Sequence, residues 1–221
     1  MYGGEHPDPN VMYYITIYNE PMVQPAEPAD ADVEGIIRGI HRVSVGQAAE
    51  GAPRANLFAS GVGVAWAFEA QQLLRDDWGV AADVWSVTSW NELRRDGLAA
   101  DEHNFLHPEA EPKVAYLTEK LRDTTGPVIA VGDWMHAVAD QIRPWVPQRF
   151  ATLGADGFGF SDTRAAARRF FKIDGPSLVV RTLQSLADDG LVDRALSARA
   201  IEKYRLHDVN AGTSGNAGGE S

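Results

Sequence analysis

Apolar residues recur along the chain with two different spacings, and the two spacings alternate from one segment to the next. Short apolar runs bounded by glycine, proline or polar residues are typical of buried strands. Such runs occur at 54–60 (RANLFAS), 82–89 (ADVWSVTS), 126–133 (GPVIAVGD) and 149–161 (RFATLGADGFGFS), the last ending in a glycine-rich turn. The segment 35–45 (GIIRGIHRVSV) alternates near its end and predicts a further strand at a sheet edge.

Helical spacing of apolar residues fills the intervals between these strands. Helices are predicted from Val64 to a terminating glycine at Gly79, and at 113–123, 134–146, 163–173, 176–190 and 192–206. The stretch 90–108 shows no regular pattern and is expected to be irregular. Strands that alternate with helices predict the α/β class, with a largely parallel sheet covered on both faces.

Some helix ends carry local signals. Ser161 or Asp162 is the expected cap of the helix at 163–173, because short polar side chains bond the free amides of a first turn. Pro176 stands at the first position of the next helix and Gly190 follows its end. These signals predict where the C-terminal helices begin and end.

The two ends of the chain differ from this pattern. Residues 11–20 (VMYYITIYNE) predict a buried strand with no partner strand nearby, and residues 21–32 contain three prolines, which is typical of a linker. We therefore expect residues 1–20 to close a preceding, truncated domain. Residues 33–207 are expected to form the main domain, and residues 208–221 a disordered tail.

Composition narrows the functional classes. The net charge of −11 argues against binding to nucleic acid or to an anionic membrane, both of which need clustered Lys and Arg. The chain has no cysteine, which excludes disulfides, thiolate catalysis and Cys-ligated zinc. The N-terminus shows no secretory signal and no apolar run is long enough to span a bilayer, so a cytoplasmic protein is expected.

The glycines of GVGVAW, Gly61 and Gly63, resemble the start of a dinucleotide-binding turn. That fingerprint needs a third glycine where this chain has Trp66, and an acidic residue at the end of the next strand, whereas Asp83 lies near its beginning. Two requirements fail, which favours a tight corner between strand and helix. A helix N-terminus can still attract an anion, so a small-anion or nucleotide site at Gly61–Gly63 remains an alternative.

Three other patterns are incomplete. The run GADGFG (154–159) interrupts the Gly-Asp-Gly start of a magnesium-diphosphate motif with an alanine, and no Asn-rich end follows. The pair in HNFLH (103–107) lacks a general base and lies in the stretch expected to be irregular, which argues against a metal site. We interpret His41 and His136 as partly buried polar residues with hydrogen-bond partners.

No nucleophile elbow or catalytic triad is recognisable, so the residues alone indicate a structural or assembly role. Trp85, Trp90 and Trp134 lie near predicted strand ends, where an exposed cluster would mark a subunit contact.

Several quoted runs together resemble a known family. YYITIYNEPM, GIIRGIHRV, LFASGVGVAWAFEAQQLL, WNELRRDG, HNFLHP and LGADGFGFSD are similar to the last part of the homodimeric bacterial pyruvate dehydrogenase decarboxylating component. The resemblance implies a three-layer transketolase C-terminal-like domain from about residue 33. Its sheet would have five strands, mostly parallel, with Gly39–Val45 as the antiparallel edge strand. Residues 1–20 would then be the closing strand of the pyrimidine-binding middle domain.

The resemblance also implies a division of labour in the parent enzyme. Thiamine diphosphate and Mg would be held by upstream domains, so no catalytic, cofactor-binding or metal-binding residue is carried over to this chain. The partners implied are a second copy of the parent, as a homodimer, and a lipoyl-bearing acyltransferase component. One hypothesis is therefore a dimer-supporting domain that is inactive alone. The other is the autonomous anion or nucleotide module at Gly61–Gly63, and a weaker one is a regulator that pairs through the strand at 11–20.

Overall fold

A computed structural model describes residues 30–212, together with Met12, Ile15 and Ile17. The chain divides into two compact units, Met1–Ala31 and Asp32–Ser221. Met12, Ile15 and Ile17, in the first unit, are exposed and lie outside any helix or strand. The rest of the strand predicted at 11–20, nearly all of the predicted linker, and the tail beyond residue 212 lie outside the described residues.

The second unit is built on a five-stranded sheet with the order β1-β3-β2-β4-β5. The strands are β1 (Ile40–Ser44), β2 (Arg54–Ala59), β3 (Ala81–Val87), β4 (Val128–Val131) and β5 (Phe150–Leu153). Strand β1 pairs antiparallel with β3, and all other pairs are parallel. The predicted α/β class, strand number and antiparallel edge strand are therefore confirmed.

Helices cover both faces of the sheet. They are α1 (Val33–Arg38), α2 (Gly63–Trp78), α3 (Trp90–Leu106), α4 (Tyr116–Lys120), α5 (His136–Asp140), α6 (Arg164–Phe171), α7 (Gly175–Asp188) and α8 (Ala195–Lys203), with 3₁₀ turns at Arg143–Trp145 and Val209–Gly212. The tail predicted from residue 208 thus begins with a 3₁₀ turn.

Alternation along the strands divides the core between the two faces. Leu57 and Ile129 point into one cluster, which α2, α7 and α8 complete. Phe58 and Ala130, one residue further along, point into the opposite cluster with α3 and α4. The three-layer arrangement follows because both faces of the parallel strands are apolar and must be covered.

Two segments differ from the sequence prediction. The stretch 90–108 is not irregular, since Trp90–Leu106 forms the 17-residue helix α3. The Ser89 side chain caps it by accepting the Glu92 amide at 3.1 Å, a capping signal that was present in the sequence. The segment 35–45 is not one strand either, because its first residues form α1, which Gly39 ends at a φ of 107°.

Caps and interruptions refine the C-terminal helices. Thr163, and not Ser161 or Asp162, caps α6 by accepting the Ala166 amide at 3.2 Å. The helix predicted at 134–146, with an interruption at Pro144, is shorter than expected: α5 ends at Asp140, and Pro144 lies in the 3₁₀ turn that follows. Gly79 ends α2 in the left-handed conformation, as predicted.

Candidate functional site

The carboxyl edge of the sheet is where an α/β fold of this kind places a binding crevice. From β2 the chain crosses to β3 on one side and then to β4 on the other. The reversal lies between the carboxyl ends of β2 and β4, the position where ligands bind in open α/β sheets. The residues that follow these strands are therefore the first candidates for chemistry.

The corner after β2 has little capacity left for an anion. Its amides at Gly63, Val64 and Ala65 donate to the carbonyls of residues 60–62, at 3.0–3.2 Å. Gly61 has a φ of 54°, which favours glycine. A Cβ at Gly63 would lie 3.3 Å from the carbonyl oxygen of Val131, so a side chain there would crowd β4. These contacts favour the corner interpretation.

The two residues that break the dinucleotide fingerprint have structural roles. Trp66 is 6% exposed and packs in the core cluster beside α7. Asp83 is 5% exposed near the start of β3 and accepts hydrogen bonds from Arg54 at 2.7 Å and Arg42 at 3.1 Å. The Gly46 amide also donates to Asp83 Oδ1, at 2.9 Å. The carboxylate therefore links β1, β2 and β3. It is remote from the carboxyl edge.

The three tryptophans near predicted strand ends separate into two groups. Trp85 is 3% exposed and donates to Asn56 Oδ1 at 3.1 Å, and Trp90 is 8% exposed and donates to Ser60 Oγ at 3.3 Å. Only Trp134, of these three, is half-exposed. The three rings therefore do not form the exposed cluster that would mark a subunit contact, because Trp85 and Trp90 pack in a core cluster.

A different apolar surface occupies the ends of β4 and β5. Trp134 and Met135 follow β4 and are 49% and 57% exposed, and Phe158, in the loop after β5, is 97% exposed. The Ala155 amide donates to the Trp134 carbonyl at 2.8 Å, which joins the two loops. We call Trp134, Met135 and Phe158 the apolar edge. The Gly-Phe-Gly run was the sequence signal for its most exposed member.

An oriented histidine–carboxylate pair lies beside the apolar edge. Asp156 accepts the backbone amide of His136 at 3.1 Å through Oδ1 and pairs with the His136 imidazole Nδ1 through Oδ2. The predicted hydrogen-bond partner of His136 is thus present. His41 is a half-buried residue of β1, and burial lowers the pKa of its imidazole.

The residues at this edge do not fit thiamine diphosphate and Mg. A magnesium-diphosphate site needs several converging oxygen ligands, but both carboxylate oxygens of Asp156 are engaged by His136. Among the described residues, no group of three or more His, Asp or Glu side chains could hold a metal ion.

Comparison with known proteins identifies relatives for most of the chain. A family model for the transketolase-like C-terminal domain matches residues 40–174. The pyruvate dehydrogenase E1 component of Mycolicibacterium smegmatis is 53% identical over 208 residues, and that of Escherichia coli is 39% identical over 207. These matches cover 94% and 93% of this chain but 22% of each relative. The chain thus spans about a fifth of the length of the curated relatives it matches.

Solved structures also align with the fold. A transketolase from Leishmania mexicana is 16% identical, with a TM-score of 0.46 over 72% of this chain and 20% of that one. A split-gene transketolase, described as an inactive β4 tetramer, is 19% identical, with a TM-score of 0.40 over 64% of this chain and 42% of that one. No helix in the described part of the chain is long and apolar enough to cross a membrane.

Proposed function

Because the chain belongs to the transketolase-like C-terminal domain family, we propose that it is the C-terminal, dimer-supporting domain of a thiamine diphosphate-dependent pyruvate dehydrogenase component. The complete enzyme would decarboxylate pyruvate and pass the two-carbon unit to a lipoyl group on an acyltransferase component. In this proposal the domain contributes contacts and support, and the cofactor is held by the other domains. The chain on its own is inactive.

The sequence identity to the E1 components supports the proposal that the complete protein is an enzyme of that kind. A 53% match that extends over 94% of the chain includes the sheet, both helical layers and the carboxyl-edge loops. The incomplete cofactor motifs support the division of labour, because neither the corner at Gly61–Gly63 nor the loop at 154–159 offers a converging ligand set. Pyruvate, thiamine diphosphate, the lipoyl partner and a cytoplasmic location belong to the proposed parent.

The apolar edge is the observation that carries the supporting role. Trp134, Met135 and Phe158 expose apolar side chains together at one edge of the sheet, and Phe158 is almost wholly in solvent. Large aromatic and methionine side chains are enriched in subunit interfaces, where burial of their apolar area stabilises association. We assign this edge to contact with a second copy of the parent enzyme.

Complementation tests the proposal. The E1 component of Mycolicibacterium smegmatis is truncated to remove its C-terminal fifth and is co-expressed with this chain. We expect the truncated protein alone to be monomeric and weakly active. The added chain should restore the dimer mass in light scattering and the release of labelled CO₂ from carboxyl-labelled pyruvate.

Matched variants locate the contact. Phe158→Ser should weaken complementation, whereas Phe105→Ser, at an 82% exposed phenylalanine near the end of α3, should leave it intact. Both variants should keep the melting temperature, since both side chains are exposed. The proposal would be contradicted if the isolated chain decarboxylated pyruvate. It would also be contradicted if Phe158→Ser complemented the truncated enzyme as well as the wild-type chain does.

A further inference from the structure

Two histidines lie together at the C-terminal end of α3, a feature that the proposed function does not use. His103 is in the last turn of α3, and His107 is the residue that caps it. The sequence argued against a metal site here because the stretch was expected to be irregular. The structure removes that objection, since residues four apart at the end of a continuous helix lie on the same face.

The two imidazoles are close enough for chelation. Their rings are stacked, with centroids 4.6 Å apart and planes inclined by 21°. Zinc lies about 2.0–2.1 Å from a histidine nitrogen, so two nitrogens on one ion stand roughly 3 Å apart. Rotation of the two side chains about χ1 and χ2 would direct one nitrogen of each ring toward a shared ion.

Hydrogen bonding fixes the tautomer of one ring. His107 Nδ1 lies 3.0 Å from the backbone carbonyl oxygen of His103. A carbonyl oxygen can only accept, so Nδ1 carries the proton and the Nε2 lone pair is directed outward. Metal-ligating histidines characteristically donate their second ring nitrogen to a carbonyl or carboxylate in this way.

The imidazole of His103 is also available to bind a metal ion. Neither ring nitrogen of His103 has a hydrogen-bond partner within the described part of the chain. Partial burial, together with the charges of Lys113 and His107, lowers the pKa of the His103 imidazole below its ordinary value.

The helix end is held in place by its surroundings. The Asn104 side chain donates to the Lys113 carbonyl at 2.9 Å and accepts the Lys113 amide at 2.8 Å. The intervening chain turns back at His107, whose carbonyl accepts the Ala110 amide at 3.0 Å. This support lowers the cost of ordering the pair when a ligand binds.

We propose that His103 and His107 form a surface site for a divalent transition-metal ion of the class that imidazole binds, such as Zn²⁺ or Ni²⁺. Water completes the coordination, because no third histidine or carboxylate among the described residues joins the pair. Imidazole ligands select Zn²⁺, Cu²⁺ or Ni²⁺ over Mg²⁺ and Ca²⁺, which prefer oxygen. The site is independent of the proposed pyruvate dehydrogenase role.

Titration of the full, tag-free chain with NiCl₂ tests the proposal by calorimetry and by NMR of the histidine ring protons. We expect saturable binding with the His103 and His107 signals affected first, and no response to MgCl₂. His103→Gln and His107→Gln should each weaken binding about tenfold or more, because a single ligand loses the chelate advantage. His207→Gln, at an exposed histidine beyond α8, is the matched control and should bind as the wild type does.

A relocated pair separates chelation from other effects of substitution. Ala99 is exposed one turn before His103, so A99H in the His107→Gln background recreates the four-residue spacing. Restored Ni²⁺ binding is the expected result. Wild-type affinity in His103→Gln or His107→Gln, with melting temperatures unchanged, would overturn the proposal and leave the stacked pair as a helix cap only.

Discussion

Gly97 of α3 lies directly against the indole of Trp145, so closely that a Cβ at position 97 would be 2.3 Å from both Cδ2 and Cε2 of the ring. Trp145 is 8% exposed, and its Nε1 donates to Asp101 Oδ2 at 3.1 Å, one turn further along the same helix. The pair joins α3 to the 3₁₀ turn at Arg143–Trp145. It explains why a buried helix position is occupied by glycine.

Gly97→Ala should destabilise the protein despite the better helix propensity of alanine. The propensity gain is about 1 kcal/mol, whereas forcing a methyl group into a packed site costs about 1–3 kcal/mol and here meets a rigid ring. Because the ring is rigid, we expect the upper end of this range, a net loss of up to about 2 kcal/mol in urea unfolding. Gly159→Ala is the control, because no heavy atom lies within 4 Å of a Cβ there. Equal stability of the two variants would contradict the packing argument.

Asp174→Ala should cost far more than loss of a helix cap. Asp174 caps α7 by accepting the Ser177 amide at 3.0 Å and also pairs with Arg169 Nε at 2.5 Å. The Arg169 side chain is only 4% exposed, so the variant leaves a buried charge unpaired, which costs about 3–5 kcal/mol.

Thr163→Ala is the matched control for that variant. Thr163 caps α6 without an ion pair, and its loss should cost about 1 kcal/mol in chemical unfolding. Similar losses for the two variants would mean that the Arg169–Asp174 pair contributes little.

Acid should weaken the protein partly through Asp32. A hydrogen bond from Lys120 is the main cause that lowers the Asp32 pKa below 3.8. A depressed pKa means that the contribution is complete above about pH 4 and is lost as the pH falls through the folded-state pKa. Asp32→Asn should therefore lower the melting temperature at pH 6 and flatten its decline below pH 4.

Lys120→Met provides the control for this pH dependence, since it removes the donor of the same hydrogen bond. Its melting curve should approach that of Asp32→Asn at pH 6. If the melting temperature of Asp32→Asn still falls as steeply below pH 4 as that of the wild type, other carboxylates control the acid sensitivity.

Deletion of residues 1–28 should leave the second unit folded. Met12, Ile15 and Ile17 are 94%, 75% and 86% exposed, and apolar side chains exposed in this way promote association. We expect higher solubility and an unchanged melting temperature by circular dichroism. Unfolding of the shortened chain would place the domain boundary elsewhere.

Local patterns predicted most of the architecture. The strands at 54–60 and 126–133 were recognisable because a parallel strand that is covered on both faces is mostly apolar, a property that can be seen without knowing its neighbours. The segment 90–108 was not, because the buried face of α3 includes Gly97 and Ala100, which carry little hydrophobic signal. The bulk that fills this face comes from Trp145, a residue distant in sequence.

The candidate site shows the same limit. The missing motif elements favoured a corner at Gly61 and Gly63, and the hydrogen bonds of that turn agree with this interpretation. The exposure of the aromatic rings, in contrast, could not be predicted from their positions near strand ends. Trp85 and Trp90 are buried because they pack in the core cluster to which α3 contributes. Phe158 is exposed because no described residue covers the loop after β5.

The sequence by itself determined the α/β class and the positions of most strands along the chain, since these follow from local apolar spacing and from glycine and proline, and the family resemblance added the antiparallel edge strand. Only the tertiary structure decided the exposure of the apolar edge, the Gly97–Trp145 contact and the pairing of Asp156 with His136. These depend on which distant segments meet, and contacts between distant segments leave no periodic trace along the chain.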